Sequence, residues 1–393
     1  MNFFSSFLGF LSLKKLLKLN NNKKIVFFSE SKNYRNYFIN LMKSFEDKEN
    51  ISVIYLTSDI KDNVKISDKI KPVFIGSGFF RILIFMFIKC EMVIMTLTDL
   101  DIHEIKKSKN CKNYVYIFHA LVSTHKCYTH TAFKNFDVIL SNGEYQKREL
   151  RYCEKLFNFK EKKIFNTGYL YLEKLLEDVN KNLDAQDNNK ILFALSWNKK
   201  ANNLFDNYAE NFLKKLIELD YKVTLRIHPE ATKRSQKTIS RIRKNLQSYK
   251  NFEINTDILN LKPLNESSLL ITDDGGIALE YYIIYKKPVL YINYLEKIHN
   301  LYFDKIKINK IEKEFKNEIG TSMDLSQLEN LEYLPLGKIK QVSKLCGVEE
   351  EKIFKMIKVI KTLNPKPADT FSQEKVHIDQ PDIIVTRSEK GWR

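Results

Sequence analysis

The segment 269–293 constrains the fold of this chain more than any other stretch of its sequence. An apolar run, Leu269-Leu-Ile-Thr272, leads into Asp273-Asp-Gly-Gly276, and a helical stretch and a second apolar run follow. This order predicts a buried strand, a tight turn, a helix and a parallel neighbouring strand, the repeating unit of an open α/β sheet. Glycines at the carboxyl end of a strand let backbone N–H groups approach a phosphate, so the turn is a candidate ligand site. The turn by itself fits a connector without a ligand equally well.

Strand-like and helical segments alternate in two successive series. The first series ends near residue 180, and the second follows a polar run over residues 178–189 that lacks large apolar side chains. Such a run predicts a linker, and a chain of 393 residues is longer than one core usually organises. We therefore predict an α/β protein with two Rossmann-like domains, at residues 21–180 and 187–360. The substrate site is expected in the cleft where the carboxyl ends of both sheets meet.

The first twenty residues carry apolar side chains at close to helical spacing, followed by Lys14, Lys15 and Lys18. Because the positive charge follows the apolar run, this stretch does not read as a secretion signal. The run is also too short to span a bilayer. Residues 1–20 therefore predict an amphipathic helix on an anionic membrane surface. Packing of that helix against the body of the protein is the alternative.

Three further stretches stand apart from the alternating pattern. Residues 79–97 are apolar but are interrupted by charged side chains, which predicts a buried helix followed by a strand instead of a membrane span. Residues 311–359 predict a mostly helical region. Residues 361–393 contain several prolines and little periodicity, and they predict a polar tail.

The net positive charge of the chain indicates which classes of binding partner it favours. The chain has 65 Lys and Arg residues against 48 Asp and Glu residues, a net charge of +17. Such an excess favours anionic lipid or a phosphate-rich substrate. The basic residues are dispersed and no nucleic-acid-binding motif occurs, which argues against a nucleic acid partner. Five cysteines without a Cys-x-x-Cys pair fit a reducing, cytoplasmic compartment.

Two histidines follow predicted strands. His119 ends the apolar run 114–118, where its imidazole is placed to act as a general base. His228 lies in Arg226-Ile-His-Pro-Glu230, and a cationic pair of Arg226 and His228 would stabilise a phosphate leaving group. A structural histidine beside an arginine in an ordinary ion pair is the alternative. The spacing of the histidines does not give the i, i+4 pair of a zinc helix.

Other polar residues fall at the same predicted sheet edge. Ser196, Trp197 and Asn198 follow the apolar run 191–195, and Glu280 lies one turn into the helix after the glycine turn. A carboxylate in that position can bind ribose hydroxyls, and a solvated helix acid fits equally well. The sequence has no P-loop and no Gly-x-Ser-x-Gly nucleophile motif, which argues against those classes of enzyme.

Six segments in this order resemble the CDP-glycerol glycerophosphotransferases of teichoic acid and capsule synthesis. They lie at residues 118–128, 141–150, 166–175, 191–198, 226–230 and 272–293. The resemblance implies a GT-B arrangement of two Rossmann-like domains, attachment to a membrane surface, and no cofactor or required metal. It also implies that the amino-terminal domain holds the acceptor and that the carboxyl-terminal domain holds the nucleotide.

The resemblance assigns roles to individual residues. His119 corresponds to the strand-end histidine that acts as the base, and His228 corresponds to the histidine near the donor diphosphate. The family's donor turn corresponds to Asp273-Asp-Gly-Gly276. Together with the positions of the other polar residues, this predicts acceptor contacts by Ser123 and His125. It predicts donor contacts by Ser196, Trp197, Asn198, Arg226, Thr272, Asp273, Asp274, Gly275, Gly276 and Glu280. The chain departs from the family at the donor turn, where two glycines replace serines, and at His119-Ala-Leu121 and Leu195-Ser-Trp197, which replace His-Gly-Thr and Pro-Thr-Trp.

The resulting prediction is a peripheral transferase on the cytoplasmic face of the cell membrane. It would move glycerol phosphate from CDP-glycerol to a hydroxyl of a lipid-linked or polymeric glycan and release CMP. A GT-B glycosyltransferase that uses a nucleotide sugar is the first alternative. A non-catalytic protein that binds a membrane or a polymer is the second.

Overall fold

The computed structural model describes residues 3–18, 23–48, 51–103, 105–181, 187–198 and 203–329. These residues form two compact units. Among the described residues, unit 1 comprises the chain up to His119 together with Tyr128–Tyr171, and unit 2 comprises Ala120–Cys127 and the chain from Leu172 to Glu329. The division therefore falls ahead of the predicted linker at residues 178–189. The short segment Ala120–Cys127 belongs to unit 2, although the chain on both sides of it belongs to unit 1.

Each unit is built on one parallel sheet, which confirms the predicted α/β class. The strands of unit 1 are β1 (Lys23–Ser29), β2 (Ile51–Thr57), β3 (Pro72–Phe74), β4 (Cys90–Met95), β5 (Cys111–Ile117), β6 (Val138–Ser141) and β7 (Lys163–Asn166). The strands of unit 2 are β8 (Lys190–Phe193), β9 (Lys222–Arg226), β10 (Phe252–Asn255), β11 (Leu269–Thr272), β12 (Val289–Asn293) and β13 (Gly320–Asp324).

The order of strands identifies a switch point in each sheet. The order is β3-β2-β1-β4-β5-β6-β7 in unit 1 and β10-β9-β8-β11-β12-β13 in unit 2, and neighbouring strands pair in parallel. Both orders reverse direction once, between β1 and β4 and between β8 and β11. Open α/β sheets bind ligands outside the carboxyl ends of the strands at such a reversal.

Helices connect the successive strands. The α-helices are α1 (Phe3–Lys18), α2 (Ile39–Glu46), α3 (Phe79–Phe87), α4 (Thr124–Cys127), α5 (Glu144–Leu156), α6 (Leu172–Lys181), α7 (Leu204–Glu218), α8 (Pro229–Arg234), α9 (Gln236–Leu246), α10 (Lys262–Glu266), α11 (Ile277–Tyr285), α12 (Ile311–Ile319) and α13 (Leu325–Glu329). A 3-10 helix, Lys32–Tyr37, follows β1. Local capping explains some of the starts: the Asn203 side chain accepts a hydrogen bond of 2.8 Å from the Asp206 amide at the beginning of α7.

Both faces of the central strand in unit 1 are buried. Val26 and Phe28 of β1 point into one apolar layer, where Phe28 meets Phe85 of α3 with ring centroids 4.9 Å apart. Ile25 and Phe27 point into the opposite layer. A continuous apolar run is therefore the sequence signature of this strand, as expected for a parallel sheet covered by helices on both sides.

Helix α1 forms where the sequence predicts a helix, and one of its faces packs on unit 1. A Cβ atom on Gly9 would lie 1.7 Å from the carbonyl oxygen of Phe74, so only glycine permits this approach to β3. Leu13 is buried on the same side. Phe3 and Phe4 are 68% and 71% exposed. One face of α1 therefore packs against unit 1, as the alternative prediction for this helix proposed. A membrane role for the exposed face stays a prediction.

The segment 79–97, predicted as a buried helix followed by a strand, contains α3 and β4, but α3 is only partly buried. Ile84 and Phe85 are buried, but Phe79 and Phe87 are 64% and 65% exposed. The prediction is wrong for this face because aromatic residues surround the helix, while unit 1 covers only one side of it. Among the described residues no helix is long and apolar enough to cross a membrane.

The region after residue 310 is less helical than predicted. Helix α12 is followed by β13, which pairs with β12 from Val289↔Gly320 to Asn293↔Asp324. A Cβ atom on Gly320 would lie 2.0 Å from the Val289 carbonyl oxygen, so this glycine permits a close backbone approach that helical periodicity does not reveal. The rest of the predicted helical region and the predicted tail 361–393 lie outside the described residues.

Candidate functional site

One carboxylate joins the two strand ends at the switch point of unit 2. The backbone N–H of Ser196, just beyond β8, donates to Oδ1 of Asp273 at 2.8 Å, and the Ser196 hydroxyl donates to Oδ2 at 2.7 Å. The hydroxyl of Thr272 donates to the Ala194 carbonyl at 2.5 Å. Burial raises the pKa of Asp273, while the two hydrogen bonds from Ser196 oppose that effect. Three of the predicted donor residues therefore meet at one place.

The glycines of the donor turn have a packing reason. A Cβ atom on Gly276 would lie 3.0 Å from both the Leu121 carbonyl oxygen and Cγ1 of Val122. A Cβ atom on Gly275 would lie 3.4 Å from Cβ of Ser196, which is an ordinary contact. Gly276 is thus the more constrained position, because the segment Ala120–Cys127 lies directly against it. The sequence alone is equally consistent with a ligand site and with a connector that binds no ligand at these two glycines.

A buried lysine pairs with the donor turn. The side chain of Lys126 is 0% exposed, and its Nζ donates to Oδ2 of Asp274 and lies 3.8 Å from Oε1 of Glu312. Burial alone would lower the pKa of Lys126, but the carboxylates of Glu312 and Asp274 together outweigh burial and raise it. Lys126 and Glu312 are absent from the residues predicted from the sequence. The only signal is that Lys126 lies within the family-like segment 118–128.

The two predicted acceptor residues lie inside unit 2. The Ser123 hydroxyl donates to Oε2 of Glu312 at 2.7 Å and accepts from the Ile311 amide at 2.9 Å. The His125 ring is 1% exposed and stacks on Phe303, with centroids 5.5 Å apart. These contacts hold the segment Ala120–Cys127 against unit 2. An acceptor contact by either residue stays a prediction.

A cavity of about 270 Å³ opens beside the donor turn. Its wall combines the two aspartates of the turn, the end of β12 with the residues after it, and three lysines on or just before α12. These residues are Asp273, Asp274, Ile292, Asn293, Tyr294, Leu295, Glu296, Lys310, Lys313 and Lys316. Lys310 pairs with Glu296, and Lys316 donates to Oδ1 of Asn293 at 3.0 Å. Burial lowers the pKa of Lys316. The wall thus carries three lysines and three carboxylates, so its formal charge is balanced and the lysines are concentrated on the side formed by α12.

The predicted cationic pair after β9 is engaged in local contacts. The guanidinium of Arg226 donates to the carbonyls of Asn260 at 2.8 Å and Ile258 at 2.6 Å, which anchors the loop after β10. Nδ1 of His228 accepts from the Glu230 amide at 3.1 Å and caps α8. An acceptor nitrogen carries no proton, so the neutral imidazole bears its proton on Nε2. The combined action of both residues on a donor phosphate stays a prediction.

The other predicted donor residues of unit 2 have identified positions. The ring of Trp197 is buried, and the guanidinium of Arg234 lies 5.4 Å from its centroid. Asn198 is buried, and Glu280 lies in the first turn of α11. The cation–π contact gives Trp197 a packing role, whereas base stacking by the same ring stays a prediction.

His119 lies in unit 1, at the carboxyl end of β5. It is partly exposed, and its ring lies 4.8 Å from that of Tyr34 and 6.3 Å from that of Tyr37, both in edge-to-face arrangements. The sequence places the histidine at a strand end correctly. It does not indicate the tyrosines, because Tyr34 and Tyr37 lie far from His119 along the chain.

The fold of this chain is similar to that of several solved structures. The wall teichoic acid polymerase TagF is 17% identical, with a TM-score of 0.56, and the match covers 95% of this chain and 97% of that chain. The UDP-GlcNAc 2-epimerase of Methanocaldococcus jannaschii, in complex with UDP-GlcNAc and UDP, is 14% identical, with a TM-score of 0.54 and coverage of 89% and 98%. The S. aureus MnaA–UDP structure is 13% identical, with a TM-score of 0.54 and coverage of 89% and 95%. Identities this low show a GT-B-like fold alone.

A different similarity covers the end of the chain. Residues 310–393 match the family described as "Sigma-54 factor, core binding domain". The RNA polymerase sigma-54 factor of Cereibacter sphaeroides is 35% identical over 65 residues, which is 16% of this chain and 15% of that factor. The factor of Sinorhizobium fredii is 30% identical over 83 residues, 21% of this chain and 16% of that factor. The chain thus matches a small part of these relatives.

Proposed function

We propose that the protein is a transferase of cell-surface glycan synthesis that moves glycerol phosphate from CDP-glycerol to a glycan hydroxyl. The observation that carries the proposal is the donor turn of unit 2. Ser196 and Asp273 fix it at the switch point, and three lysines line the adjacent cavity. This is the edge of an α/β sheet at which nucleotides bind. The similarity of fold to TagF supports the choice of donor.

The proposed reaction uses one histidine from each unit. The acceptor hydroxyl oxygen forms a bond to the phosphorus that carries glycerol, while the bond from that phosphorus to the oxygen of CMP breaks. His119 of unit 1 accepts the hydroxyl proton. In unit 2 the Nε2–H of His228 donates a hydrogen bond to the phosphate charge that develops on CMP. The cavity lysines attract the diphosphate before the reaction.

A thermal-shift panel tests the donor. The full-length protein is heated with CMP, CDP-glycerol, CDP-ribitol, UDP, GDP or ADP in metal-free buffer. A ligand that binds only the folded state at a hundred times its Kd adds about 2.7 kcal/mol of stability. We expect stabilisation by CMP and CDP-glycerol, and a smaller shift in the Lys313→Ala variant. The Lys237→Ala variant, changed at an exposed lysine on α9, is the control. The absence of any shift with cytidine nucleotides would refute the proposed donor.

A nucleotide-sugar glycosyltransferase is the second candidate. The similarity of fold to the UDP-GlcNAc 2-epimerase and to MnaA favours it. Stabilisation by UDP and not by CMP in the same panel would replace the first proposal with this one. A non-catalytic binding protein is distinguished by His119→Ala and His228→Ala. An enzyme loses turnover in both variants while it remains folded, whereas a binding protein retains its affinity for polymer.

We propose further that unit 1 attaches to the cytoplasmic face of the membrane through α1 and α3. Exposed aromatic side chains occur on both helices, which contact each other through Phe80, whose ring lies 4.9 Å from that of Phe3. Neither helix has an acidic residue in its first turn, and Lys14 and Lys18 are exposed on α1. Apolar rings beside lysines suit an anionic bilayer.

Vesicle co-sedimentation tests the attachment. We expect deletion of residues 1–19, or the pair Phe79→Ser and Phe87→Ser, to release the protein from phosphatidylglycerol vesicles. Leu301→Ser removes an apolar side chain that is 95% exposed in unit 2, and it should leave binding unchanged. Binding that persists in both altered proteins would refute the α1–α3 surface.

A further inference from the structure

Five aromatic rings cluster at the carboxyl edge of the sheet in unit 1. Tyr34 and Tyr37 come from the 3-10 helix after β1, His119 follows β5, and Tyr169 and Tyr171 follow β7. Tyr37 is central: its ring centroid lies 4.8 Å from that of Tyr171, 5.9 Å from that of Tyr169 and 6.3 Å from that of His119. We call these five residues the tyrosine cluster.

The tyrosine cluster combines apolar faces with paired hydroxyls. The hydroxyls of Tyr37 and Tyr169 lie 3.2 Å apart, within hydrogen-bond distance. Tyr34, Tyr37 and His119 are partly exposed, whereas Tyr169 and Tyr171 are buried. Solvent therefore reaches part of each of the first three residues, whereas Tyr169 and Tyr171 are shielded from it. A tyrosine presents a rigid ring and a hydroxyl at a small cost in side-chain entropy, which suits it to binding.

The 3-10 helix that carries two of the rings is firmly anchored. The backbone N–H of Lys32 donates to Oδ2 of Asp59 at 3.0 Å. Nη1 of Arg35 pairs with the fully buried carboxylate of Asp62 at 2.5 Å, and the buried hydroxyl of Tyr55 donates to the same carboxylate. The positions of the tyrosines are thus set by buried polar contacts before any ligand arrives, which lowers the entropy cost of binding.

We infer that the tyrosine cluster is the acceptor site and that it takes an uncharged sugar or polyol. Such a ligand has C–H faces that pack on aromatic rings and hydroxyls that exchange hydrogen bonds with tyrosine and imidazole. A hydroxyl of the bound ligand then lies beside His119, the group that accepts its proton. The role of the bound hydroxyl as acceptor rests on the proposed transfer reaction. The predicted acceptor residues Ser123 and His125 make contacts inside unit 2, and an acceptor role for them stays a separate prediction.

Saturation-transfer NMR on the full-length protein tests the site without any nucleotide. The probes are methyl N-acetyl-β-glucosaminide, glycerol and choline, each alone. We expect the sugar to receive saturation most strongly through its ring protons. Tyr34→Ala should weaken its binding by about tenfold, the loss expected for one aromatic face. Tyr249→Ala, at a tyrosine 40% exposed in unit 2, should bind like the unaltered protein.

Two further variants keep the outcome decisive. Tyr34→Leu keeps a sizeable apolar side chain but has no aromatic face, so it should weaken binding even if Tyr34→Ala fails to fold. Tyr37→Phe keeps the ring and removes the hydroxyl paired with Tyr169, so it should lower affinity less. Equal binding by the unaltered protein and Tyr34→Leu would overturn the proposal. Binding of choline without binding of the sugar or of glycerol would also overturn it, since aromatic cages recognise cations.

The test is independent of the donor. Sugar binding that depends on Tyr34, together with no stabilisation by any cytidine nucleotide, would support the tyrosine cluster and refute the proposed function. Stabilisation by CDP-glycerol together with no binding of either neutral probe would refute the tyrosine cluster alone.

Discussion

Replacement of Lys126 by Met removes the buried positive charge at the donor turn. Met matches the length of the lysine stem without its charge. In the folded protein Lys126 contacts Asp274, whose side chain is 26% exposed, and faces Glu312, whose side chain is 5% exposed. The variant therefore leaves one carboxylate that water can reach and one that it cannot. We expect the cost to come mainly from Glu312.

The size of the effect follows from the contacts that remain. Removing one partner of a buried ion pair typically costs about 3–5 kcal/mol. Glu312 keeps hydrogen bonds from the amide of Ser123 at 3.0 Å and from its hydroxyl at 2.7 Å, so part of its charge stays compensated. Asp274 gains water as a partner. We therefore expect the unit 2 free energy of unfolding to fall by about 3 kcal/mol at pH 7, the lower end of that range.

Fluorescence of Trp197 during urea unfolding measures this loss. The sequence has two tryptophans, and the other is Trp392, so the Trp392→Phe background makes Trp197 the single reporter of unit 2. The Lys126→Met, Glu312→Gln double variant is the matched partner. If the unpaired charge of Glu312 causes the loss, the two substitutions should couple by about 1–3 kcal/mol in a double-mutant cycle.

The pH dependence gives a second signature. The folded-state pKa of Lys126 is raised, so its stabilising contribution is complete below about pH 10, the unfolded pKa of lysine, and is lost only as pH rises through the folded value. From pH 6 to pH 9 the contribution should be constant. A loss below about 1 kcal/mol at pH 7, the size of an exposed ion pair, would refute this reasoning.

Two other changes test the donor turn. Gly276→Ala places a methyl group 3.0 Å from the Leu121 carbonyl oxygen, so urea unfolding should show that the free energy of unfolding falls by about 1–2 kcal/mol. Gly275→Ala should be nearly neutral, because its methyl group makes only an ordinary contact. Equal effects of the two substitutions would contradict the packing explanation. Ser196→Ala removes the hydroxyl bond to Asp273, and the same assay should show a loss of about 1.5–3 kcal/mol at pH 7. Since burial already raises the pKa of Asp273, that loss should diminish as the carboxylate protonates at lower pH; a loss independent of pH would contradict it.

Most of the fold could be predicted because its signals are local. The strand–turn–helix of 269–293 appears as β11, α11 and β12, each within the predicted segment. β13 could not be predicted in the same way. Its sequence, Gly320-Thr-Ser-Met-Asp324, has one large apolar residue, and it becomes a strand because β12 offers it an edge to pair with.

The candidate site likewise contains some contacts that local sequence signals predict and others that depend on long-range packing. Ser196 and Asp273 end strands, and parallel strands bring their ends to one edge, so their meeting follows from the topology. The contact between Lys126 and Glu312 forms because the segment Ala120–Cys127 belongs to unit 2, although the chain on both sides of it belongs to unit 1. No periodicity in the sequence reports that crossing. The roles of Gly276 and Ser123 could not be predicted for the same reason. Gly276 packs against the segment Ala120–Cys127, and Ser123 belongs to that segment and contacts Glu312.

Residues 310–329 belong both to unit 2, with its GT-B-like fold, and to the stretch that is similar to sigma-54 factors. They open the stretch that matches the sigma-54 core-binding domain, and they also complete unit 2. Five residues of β13 pair with β12, and Glu312 accepts two hydrogen bonds from Ser123. Removing these contacts would expose the edge of the sheet and leave the amide of Ser123 without its carboxylate. A segment bound in this way is part of unit 2, so its similarity to the sigma-54 domain does not make it a module separate from that unit.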